Sequence, residues 1–579
     1  MNLLREKPRT ALFLSLSLLL AAAAICPLTH ARPPSAREAP ATPCQYIRLW
    51  LEDSDGRPLV LLGEVVRRRD VVRRFYRQRD FSLAWMNSEA VSPLAYDLMK
   101  RVARADGDGL APADYHFRAI RLALVGVQKQ LEGVYEDDPA TGAAADVLLT
   151  DAFFTLAGHL SRGRVKAGAP TPVRDEAAPG ADFPVLLRSA LEDGGVVRAL
   201  DRVSCKYLGY ERLRDALDRY TRIAATGGWP LIPEEIRAER GDGGPHVEMV
   251  RARLEATGDV VRTEEPKARR VFDGDLEKAV ISFQERHGLA PDGRVGPGTV
   301  RAMRIPVEEA VRKIRLNLER WRWLPARLED RFVMVNLADM TLSLVEQGRL
   351  TLSMRVVVGR KYRKTPVFSA PMRYLVFNPY WHVPRSIAVR DILPDVQKNP
   401  GYIASHRMRV YAGAFGPGNE VDPSTVDWGA LSAGNFPYRI RQEPGPRNAL
   451  GRVKFVFPNP YTVFMHDTPS RHLFEKARRL FSSGCIRLER PLDLAEAVLR
   501  GKEGWDRQRI EQVVDSGAHR TVHLPEPMEV RLVYWTAWAD PALPRVHFRD
   551  DVYGRDRDLG RALFSPAPTP ADVRHLPRQ

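Results

Sequence analysis

The chain has 579 residues, too many for one ordinary domain, so about two to four folded units are expected. Hydrophobic residues make up 44% of the chain and charged residues 28%, a composition that excludes an intrinsically disordered protein. The formal net charge of +16 suits a nucleic acid, a membrane surface or an anionic polymer as partner. Long Lys/Arg runs are absent, however, and a solvated, arginine-rich surface explains the charge equally well.

Residues 1–31 are typical of an export signal. A positively charged start is followed by an apolar run over residues 11–25 and by a small-residue cleavage site at residues 29–31. The apolar run is short for a membrane-spanning helix. We therefore predict a cleaved signal peptide and a periplasmic protein, for which nucleic acid is not expected as a partner. An uncleaved membrane anchor and a lipoprotein attached at Cys26 are the alternatives.

Three cysteines remain after such a cleavage: Cys44, Cys205 and Cys485. An odd number in an oxidising compartment leaves at least one free or intermolecular thiol. Cys44 and Cys205 could pair with each other, but nothing in the sequence fixes their distance. The 13 histidines are scattered, and no Cys/His cluster has metal-ligand spacing, so we expect no metal site.

The periodicity of apolar residues predicts a multidomain α+β protein. A Pro/Ala-rich linker over 32–44 is followed by helical spacing with Gly and Pro breaks, which predicts a mostly helical scaffold domain over 45–240. A connecting helix is expected within 306–330. From residue 331 the pattern alternates, which predicts a mixed, mainly-β domain to about 560. The Pro-rich residues 565–579 are predicted to be disordered.

A small helical module is predicted over 245–305. Leu276 and Phe283 belong to the apolar stripe of a short amphipathic helix, and glycine-rich turns lead from Gln284 to Thr299. This run resembles the three-helix peptidoglycan-binding module. The resemblance implies binding of glycan or stem peptide, and a purely structural spacer is the alternative.

Residues 461–488 carry the strongest signal for chemistry. Residues 461–466 read as a strand that ends at His466, residues 470–481 as an amphipathic helix, and residues 482–488 as a loop containing Cys485. A strand end and a loop joined by one such element can return to the same place. His466 and Cys485 are therefore expected to meet.

These residue types suit acyl transfer by a thiol. Only a thiolate attacks well, and an imidazole such as His466 can take the proton of Cys485 and later return it to a leaving amine. Gly484 permits a sharp turn, and its backbone amide could face the oxyanion that develops on an attacked carbonyl. Arg487 adds positive potential that favours the thiolate or holds a substrate carboxylate.

His466, Ser482-Ser483-Gly484-Cys485 and Arg487 together resemble the catalytic signature of the L,D-transpeptidase family, in its large periplasmic branch. Ser483 departs from the pattern, because many members carry His there. The backbone carbonyl of Asp467 is expected to orient His466, because no carboxylate is positioned by the motif.

The resemblance extends beyond the signature. Residues 378–384 are similar to the strand beside the family's cleft, so Tyr380 and His382 are expected to touch substrate, as are Arg487 and Ser483. The irregular segment at about 401–443 corresponds to a substrate-capping insertion. The segments at 534–538 and 548–553 are similar to a closing extension of the catalytic domain.

The resemblance implies a peptidoglycan transpeptidase that uses no cofactor. A Cys485 thioester would form as D-Ala leaves a donor tetrapeptide, and an amine of a second stem peptide would then take the acyl group to give a 3→3 cross-link. The resemblance also implies acylation by carbapenems, and other cell-wall synthesis proteins are open as partners. The alternatives are an L,D-carboxypeptidase or endopeptidase that uses the same thioester, and a catalytically idle wall-binding scaffold.

Overall fold

The computed structural model describes residues 40–52, 57–165, 182–540, 543 and 545–566. The predicted signal peptide lies outside these residues, as do most of the predicted linker and nearly all of the predicted C-terminal tail. The multidomain α+β architecture is confirmed, with a helical N-terminal part, a helical module and a mainly-β catalytic part.

The N-terminal unit is a helical bundle with one short hairpin. Ser92 shows how the sequence starts a helix: its side chain accepts a hydrogen bond from the N–H of Leu94, and Pro93 occupies the first turn, where no donor is needed. The helices are α1 (Pro43–Glu52), α2 (Arg69–Arg77), α3 (Pro93–Ala103), α4 (Phe117–Leu131), α5 (Pro139–Arg162), α6 (Phe183–Glu192), α7 (Val196–Val203) and α8 (Leu208–Ala225). The antiparallel strands are β1 (Val60–Leu61) and β2 (Glu64–Val65).

Helix α5 is the centre of this bundle. It is long and apolar enough to cross a membrane by length and composition alone, but most of it is buried in the scaffold core. Its buried Asp146 accepts hydrogen bonds from the Tyr76 hydroxyl, at 2.5 Å, and from the N–H of Trp85, at 2.8 Å. These bonds satisfy a carboxylate that would otherwise be costly to bury.

The predicted small module is helical, as expected. Its elements are α9 (Pro245–Ala256), α10 (Pro266–Arg269), α11 (Gly274–Arg286) and α12 (Pro297–Met303). The buried amide of Gln284 ties the glycine-rich loop together. It donates to Asp292, to the carbonyl of Arg294 and to Thr299, and it accepts from the N–H of Gly293.

The predicted connecting helix is α13 (Val307–Trp321), and it packs between the scaffold and the catalytic part. The Trp321 ring stacks on Trp535 with centroids 4.3 Å apart. On its other side, α8 approaches at Gly209, where a Cβ would lie 2.6 Å from the Trp321 ring. Only a residue without a side chain permits this contact.

The catalytic part contains two sheets. Its strands are β3 (Arg331–Asn336), β4 (Thr341–Glu346), β5 (Arg349–Gly359), β6 (Phe368–Phe377), β7 (Trp381–His382), β8 (Met408–Ala412), β9 (Glu420–Val421), β10 (Tyr438–Gln442), β11 (Val453–Val456), β12 (Met465–His466), β13 (Leu480–Ser482), β14 (Ile486–Leu488) and β15 (Arg520–Val533). The main sheet has the order β13-β5-β14-β12-β11-β6-β15-β3-β4, and the second sheet has the order β7-β10-β8-β9.

The second sheet and its helices form a unit that we call the cap, defined as residues 381–442. Its helices are α14 (Arg385–Ile387), a π-helical turn (Ala388–Ile392), α15 (Leu393–Lys398) and α16 (Tyr402–Ser405). The cap starts earlier in the chain than the insertion predicted at 401–443. Val383 and Ile392, which precede it, share one hydrophobic core with Val410 and Ile440.

The helix predicted over 470–481 is wrong. Residues Arg471–Glu475 form a single 3-10 turn, and β13 follows at Leu480 in parallel pairing with β5. The buried guanidinium of Arg479 donates to the carbonyls of Met340 and Val356, at 3.0 and 3.2 Å. Tertiary partners therefore outweigh the local helical pattern here.

The C-terminal segment closes the structure. Helices α17 (Pro491–Leu499) and α18 (Arg507–Asp515) precede β15, and the hairpin β16 (Ala537–Ala539) and β17 (Val546–Phe548) leads to α19 (Arg555–Leu563). The carbonyl of Val546 accepts a hydrogen bond from Arg286 of the module, and Phe548 packs against Tyr220 of the scaffold. The segment predicted to close the catalytic domain thus also joins the other two units.

Candidate active site

His466 and Cys485 lie on neighbouring parallel strands. Strand β12 ends at His466, β14 starts directly after Cys485, and the register pairs Met465 with Ile486 and His466 with Arg487. Side chains alternate along a strand, so Met465 and Ile486 point into the core, where both are fully buried. The side chains of His466 and Cys485 point to the opposite face. The two residues predicted as base and nucleophile therefore share one face of the sheet, on adjacent strands.

The backbone of Asp467 contacts the imidazole of His466. Its backbone carbonyl lies 2.5 Å from Nδ1 of His466 and accepts the proton of that nitrogen. The buried Asp467 carboxylate is held by Arg452, which donates to Oδ2, and by Arg471, which donates to Oδ1 at 3.0 Å. With Nδ1 engaged as donor, Nε2 carries the lone pair that can accept a proton.

The loop before the thiol is fixed by two hydroxyls. Ser482 Oγ accepts from the N–H of Gly484, at 3.1 Å, and donates to the carbonyl of Cys485, at 2.5 Å. Thr365 donates to the carbonyl of Gly484 at 2.8 Å. Gly484 has a φ of +122°, a conformation that disfavours any residue with a side chain. The sequence analysis named Ser482 only as part of the family signature and did not identify Thr365, since Ser and Thr are common in loops.

The thiol and the imidazole are both neutral at neutral pH. Burial lowers the pKa of His466 to about 3, and the positive charge of Arg487 acts in the same direction. Burial also raises the pKa of the Cys485 thiol, although the backbone N–H of Phe464 and the charges of Lys454 and Arg487 act in the opposite direction. The expectation that Arg487 favours the thiolate has the right sign, but burial outweighs it.

Cations lie on both sides of His466. Arg487 is its register partner on β14, and Lys454 is its partner on β11, so the three side chains form one row across the sheet. The Nε of Arg487 is buried without a hydrogen-bond partner among the described residues. Lys454 was missed by sequence analysis, because only the strand register reveals that its side chain shares the face of His466.

Of the two residues predicted to touch substrate from the cap side, His382 lies close enough to Lys454 for that charge to act on it, and Tyr380 precedes it by two positions. Tyr380 is half-buried. Its ring centroid lies 5.0 Å from that of His519 and 4.6 Å from the Arg441 guanidinium. His382 is exposed beside Phe415. Burial lowers the pKa of His382, and the positive charge of Arg441 adds to this effect.

Ser483 connects the catalytic loop with the cap. Its exposed hydroxyl accepts a hydrogen bond from Nη1 of Arg363 at 2.7 Å, and the same nitrogen lies 2.5 Å from Oδ2 of Asp391. Asp391 belongs to the π-helical turn of the cap. Arg363 thus bridges the cap to the residue that stands two positions before the thiol.

The three cysteines are all free thiols in the part of the chain that the structure describes, so Cys44 and Cys205 do not pair. Burial raises the pKa of Cys205 to about 11, which makes that thiol unreactive at neutral pH. Over the described ranges, no group of three or more His, Cys, Asp or Glu could hold a metal ion. That the chemistry needs no metal or other cofactor remains a prediction.

Three parts of the chain match known domain families. Residues 330–514 match the L,D-transpeptidase catalytic domain, residues 243–303 match the peptidoglycan binding domain, and residues 70–217 match the Scaffold domain. The first of these ranges contains both strands of the site. The three matched domains follow one another along the chain in the same order as the units of the structure.

A curated relative from Haemophilus influenzae carries the name L,D-transpeptidase and is 35% identical over 250 residues, which is 43% of this chain. The chain spans about half the length of this relative, 49% of it. A solved L,D-transpeptidase from Xylanimonas cellulosilytica is 16% identical, with a TM-score of 0.15, and covers 52% of this chain and 99% of its own. A structure described as the Ldtfm–avibactam carbamoyl enzyme is 9% identical, with a TM-score of 0.17. The match covers 55% of this chain and 98% of that one.

Proposed function

We propose that the chain, whose residues 330–514 match the L,D-transpeptidase catalytic domain, is an exported enzyme that forms 3→3 cross-links between peptidoglycan stem peptides through a thioester on Cys485. One observation carries this proposal: the thiol and a correctly oriented imidazole, His466, share one face of adjacent strands. A thiol beside a base with a free Nε2 is the arrangement that nucleophilic acyl transfer requires.

The first half-reaction forms the thioester. The thiol proton of Cys485 passes to Nε2 of His466 as the sulfur attacks the carbonyl between the diamino acid and the terminal D-Ala of a donor tetrapeptide. The carbon–nitrogen bond then breaks, and the imidazolium gives its proton to the leaving amine. A His466 pKa of about 3 makes the imidazolium a strong acid that returns the proton readily, and it makes the neutral imidazole a weak base, so the thiol loses its proton only as the sulfur attacks.

The second half-reaction transfers the acyl group. The side-chain amine of a neighbouring stem peptide attacks the thioester carbonyl and loses its proton to His466. The carbon–sulfur bond breaks, and the imidazolium reprotonates the sulfur of Cys485. The free enzyme is restored, and a new amide joins two diamino acids. If water takes the place of the amine, the same steps yield a trimmed tripeptide.

Backbone N–H groups would stabilise the oxyanion of both steps. The N–H of Gly484 donates to Ser482 Oγ in the structure, so its use by the oxyanion requires that bond to be exchanged. The N–H of Cys485 donates no hydrogen bond to another described residue, so it can donate to the oxyanion without breaking an existing bond. One such donor contributes on the order of 3 kcal/mol to transition-state stabilisation in other enzymes.

The test is the reaction of the purified mature protein with disaccharide-tetrapeptides, followed by mass spectrometry of the products. We expect dimers in which one D-Ala has been lost, and neither product nor acyl-enzyme with Cys485→Ala. Cys205→Ala is the matched control, because it removes a thiol that the structure makes unreactive. Tripeptides without dimers would indicate a carboxypeptidase, and turnover by Cys485→Ala would overturn the assignment.

Two further parts of the proposal concern location and inhibition. We propose that the protein works in the periplasm, where residues 243–303 bind glycan or stem peptide, and that carbapenems acylate Cys485. Cell fractionation tests the location. Intact mass of the protein with a carbapenem tests acylation, and an adduct retained by Cys485→Ala would place the nucleophile elsewhere.

A further inference from the structure

Lys454 is a half-buried cation with no anionic partner. It lies on β11, in register with His466, and its Nζ stands 4.0 Å from the centroid of the Phe464 ring. Within the described ranges, no carboxylate forms an ion pair with it. Burial lowers the pKa of Lys454, as expected of an ammonium that leaves water without a counter-ion.

Such a cation is not explained by the fold alone. Removing part of its hydration costs free energy, and the cation–π contact with Phe464 returns only part of that cost. An apolar side chain at this position would pack against the same ring without that cost. The charge of Lys454 also acts to lower the pKa of Cys485, but burial outweighs this effect and the thiol is neutral in the free protein. The charge therefore points to an anion that arrives with the substrate.

The position of Lys454 specifies which anion. His466 protonates the amine of the residue that leaves the donor peptide, and in an α-amino acid the amine and the carboxylate are bonded to one Cα. The carboxylate of the leaving residue must therefore lie within a few ångströms of the imidazole, about the span of one residue. Lys454 and Arg487 are the cations that flank the imidazole in its own row.

Of these two cations, Lys454 is the one whose charge acts on the cap. Its charge acts on His382 of the cap edge, whereas the charge next to Arg487 is that of Arg360. We propose that Lys454 binds the free carboxylate of the leaving residue and thereby selects donors in which that residue is C-terminal. This inference rests on the proposed function and names a specificity-determining residue for it.

A direct test compares a donor tetrapeptide that ends in a free carboxylate with the same peptide as its C-terminal amide. With the wild-type protein, we expect kcat/KM for the acid to exceed that for the amide at least about tenfold. With Lys454→Met, the value for the acid should fall to that for the amide, mainly through KM. Lys454→Arg should restore part of the preference, because it returns the charge. Lys100→Met, which removes one exposed charge from the scaffold, should leave the ratio unchanged.

The outcomes separate this inference from the proposed function. If the wild-type protein turns over neither donor, the proposed function fails. If the wild-type protein turns over both donors equally well, or if Lys454→Met keeps the preference for the acid, only the inference is overturned. The comparison of the two donors uses the wild-type protein alone, so it does not depend on whether a variant folds. If Lys454→Met instead changes the pH dependence of Cys485 alkylation by neutral iodoacetamide and keeps the acid-to-amide ratio, Lys454 acts on the thiol and not on the leaving carboxylate.

Discussion

Gly451 lies directly against Asp467, the residue whose backbone carbonyl contacts the imidazole of His466. A Cβ on Gly451 would stand 2.5 Å from Cβ, Cγ and Oδ2 of Asp467, closer than real side chains approach. The carbonyl of Asp467 lies 2.5 Å from Nδ1 of His466, so a displacement of this residue reaches the base. The orientation of the imidazole therefore depends on a turn more than ten residues upstream.

We expect Gly451→Ala to impair catalysis as well as stability. Its φ of +62° disfavours alanine by about 1 kcal/mol or more, and the clash displaces Asp467 in addition. Gly348→Ala is the matched control, because its φ is +75° but its Cβ would meet nothing within 4 Å. Both variants should lower the melting temperature, and only Gly451→Ala should also lower kcat, by about tenfold or more. Equal kcat values would show that Asp467 does not transmit the displacement.

The reactivity of Cys485 should increase with pH across the neutral range. Burial raises the pKa of this thiol, and the pKa of His466 is about 3, so no thiolate–imidazolium pair forms at rest. The rate of alkylation by iodoacetamide should rise steadily from about pH 6 to 9 without an inflection near 6.5, the ordinary pKa of histidine. Peptide mapping separates the three thiols. A reactive plateau below pH 7 would indicate a preformed ion pair.

Arg363 should couple the cap to the catalytic loop. It joins Asp391 and Ser483, so Arg363→Met removes both links at once. We expect faster amide exchange in residues 388–398 and a KM for donor peptide that rises several-fold, because the cap samples open positions more often. Arg409→Met, which breaks an exposed pair with Glu420 inside the cap, is the control and should alter neither quantity. Unchanged exchange in Arg363→Met would refute the coupling.

The scaffold should lose stability as the pH rises through the neutral range. His116 is buried between Asp151, at 2.7 Å, and Glu64, at 3.0 Å, and Arg67 is the nearest opposing charge. Burial opposes the charged imidazole, but the two carboxylates prevail and raise its pKa. Protonated His116 therefore contributes stability below its unfolded pKa, roughly 6.5, and this contribution disappears as the pH passes its folded value.

Hydrogen exchange of α5 amides, corrected for intrinsic rates, measures this effect. The opening free energy should fall from pH 6 to pH 9 in the wild-type protein. It should be lower at pH 6 and less dependent on pH in His116→Asn, since removing one partner of a buried pair costs about 3–5 kcal/mol. At the acid end, the pKa of Glu64 is lowered by its bond to His116, so its contribution is lost as pH falls through that folded value. His472→Asn, at an exposed position, should leave the profile unchanged.

The sequence alone was enough to predict a nucleophile and a base, and it correctly predicted the kinds of units in the chain. His466, Gly484 and Cys485 are recognisable because their chemistry needs those residue types close together along the chain. Gln284 and its neighbouring glycines are equally local, and the module they predict is helical. Such features survive without coordinates because their interactions lie within one short segment.

The tertiary structure alone decided what long-range pairing controls. The segment predicted as a helix over 470–481 became a 3-10 turn and a strand because β5 and the carbonyls around Arg479 offer it better partners. The cap begins at Trp381 because apolar residues before 401 complete its core. Lys454 is next to His466 only through strand register, which no local pattern encodes. Burial, which sets the charge states of Cys485 and His466, likewise depends on what the rest of the chain packs around them.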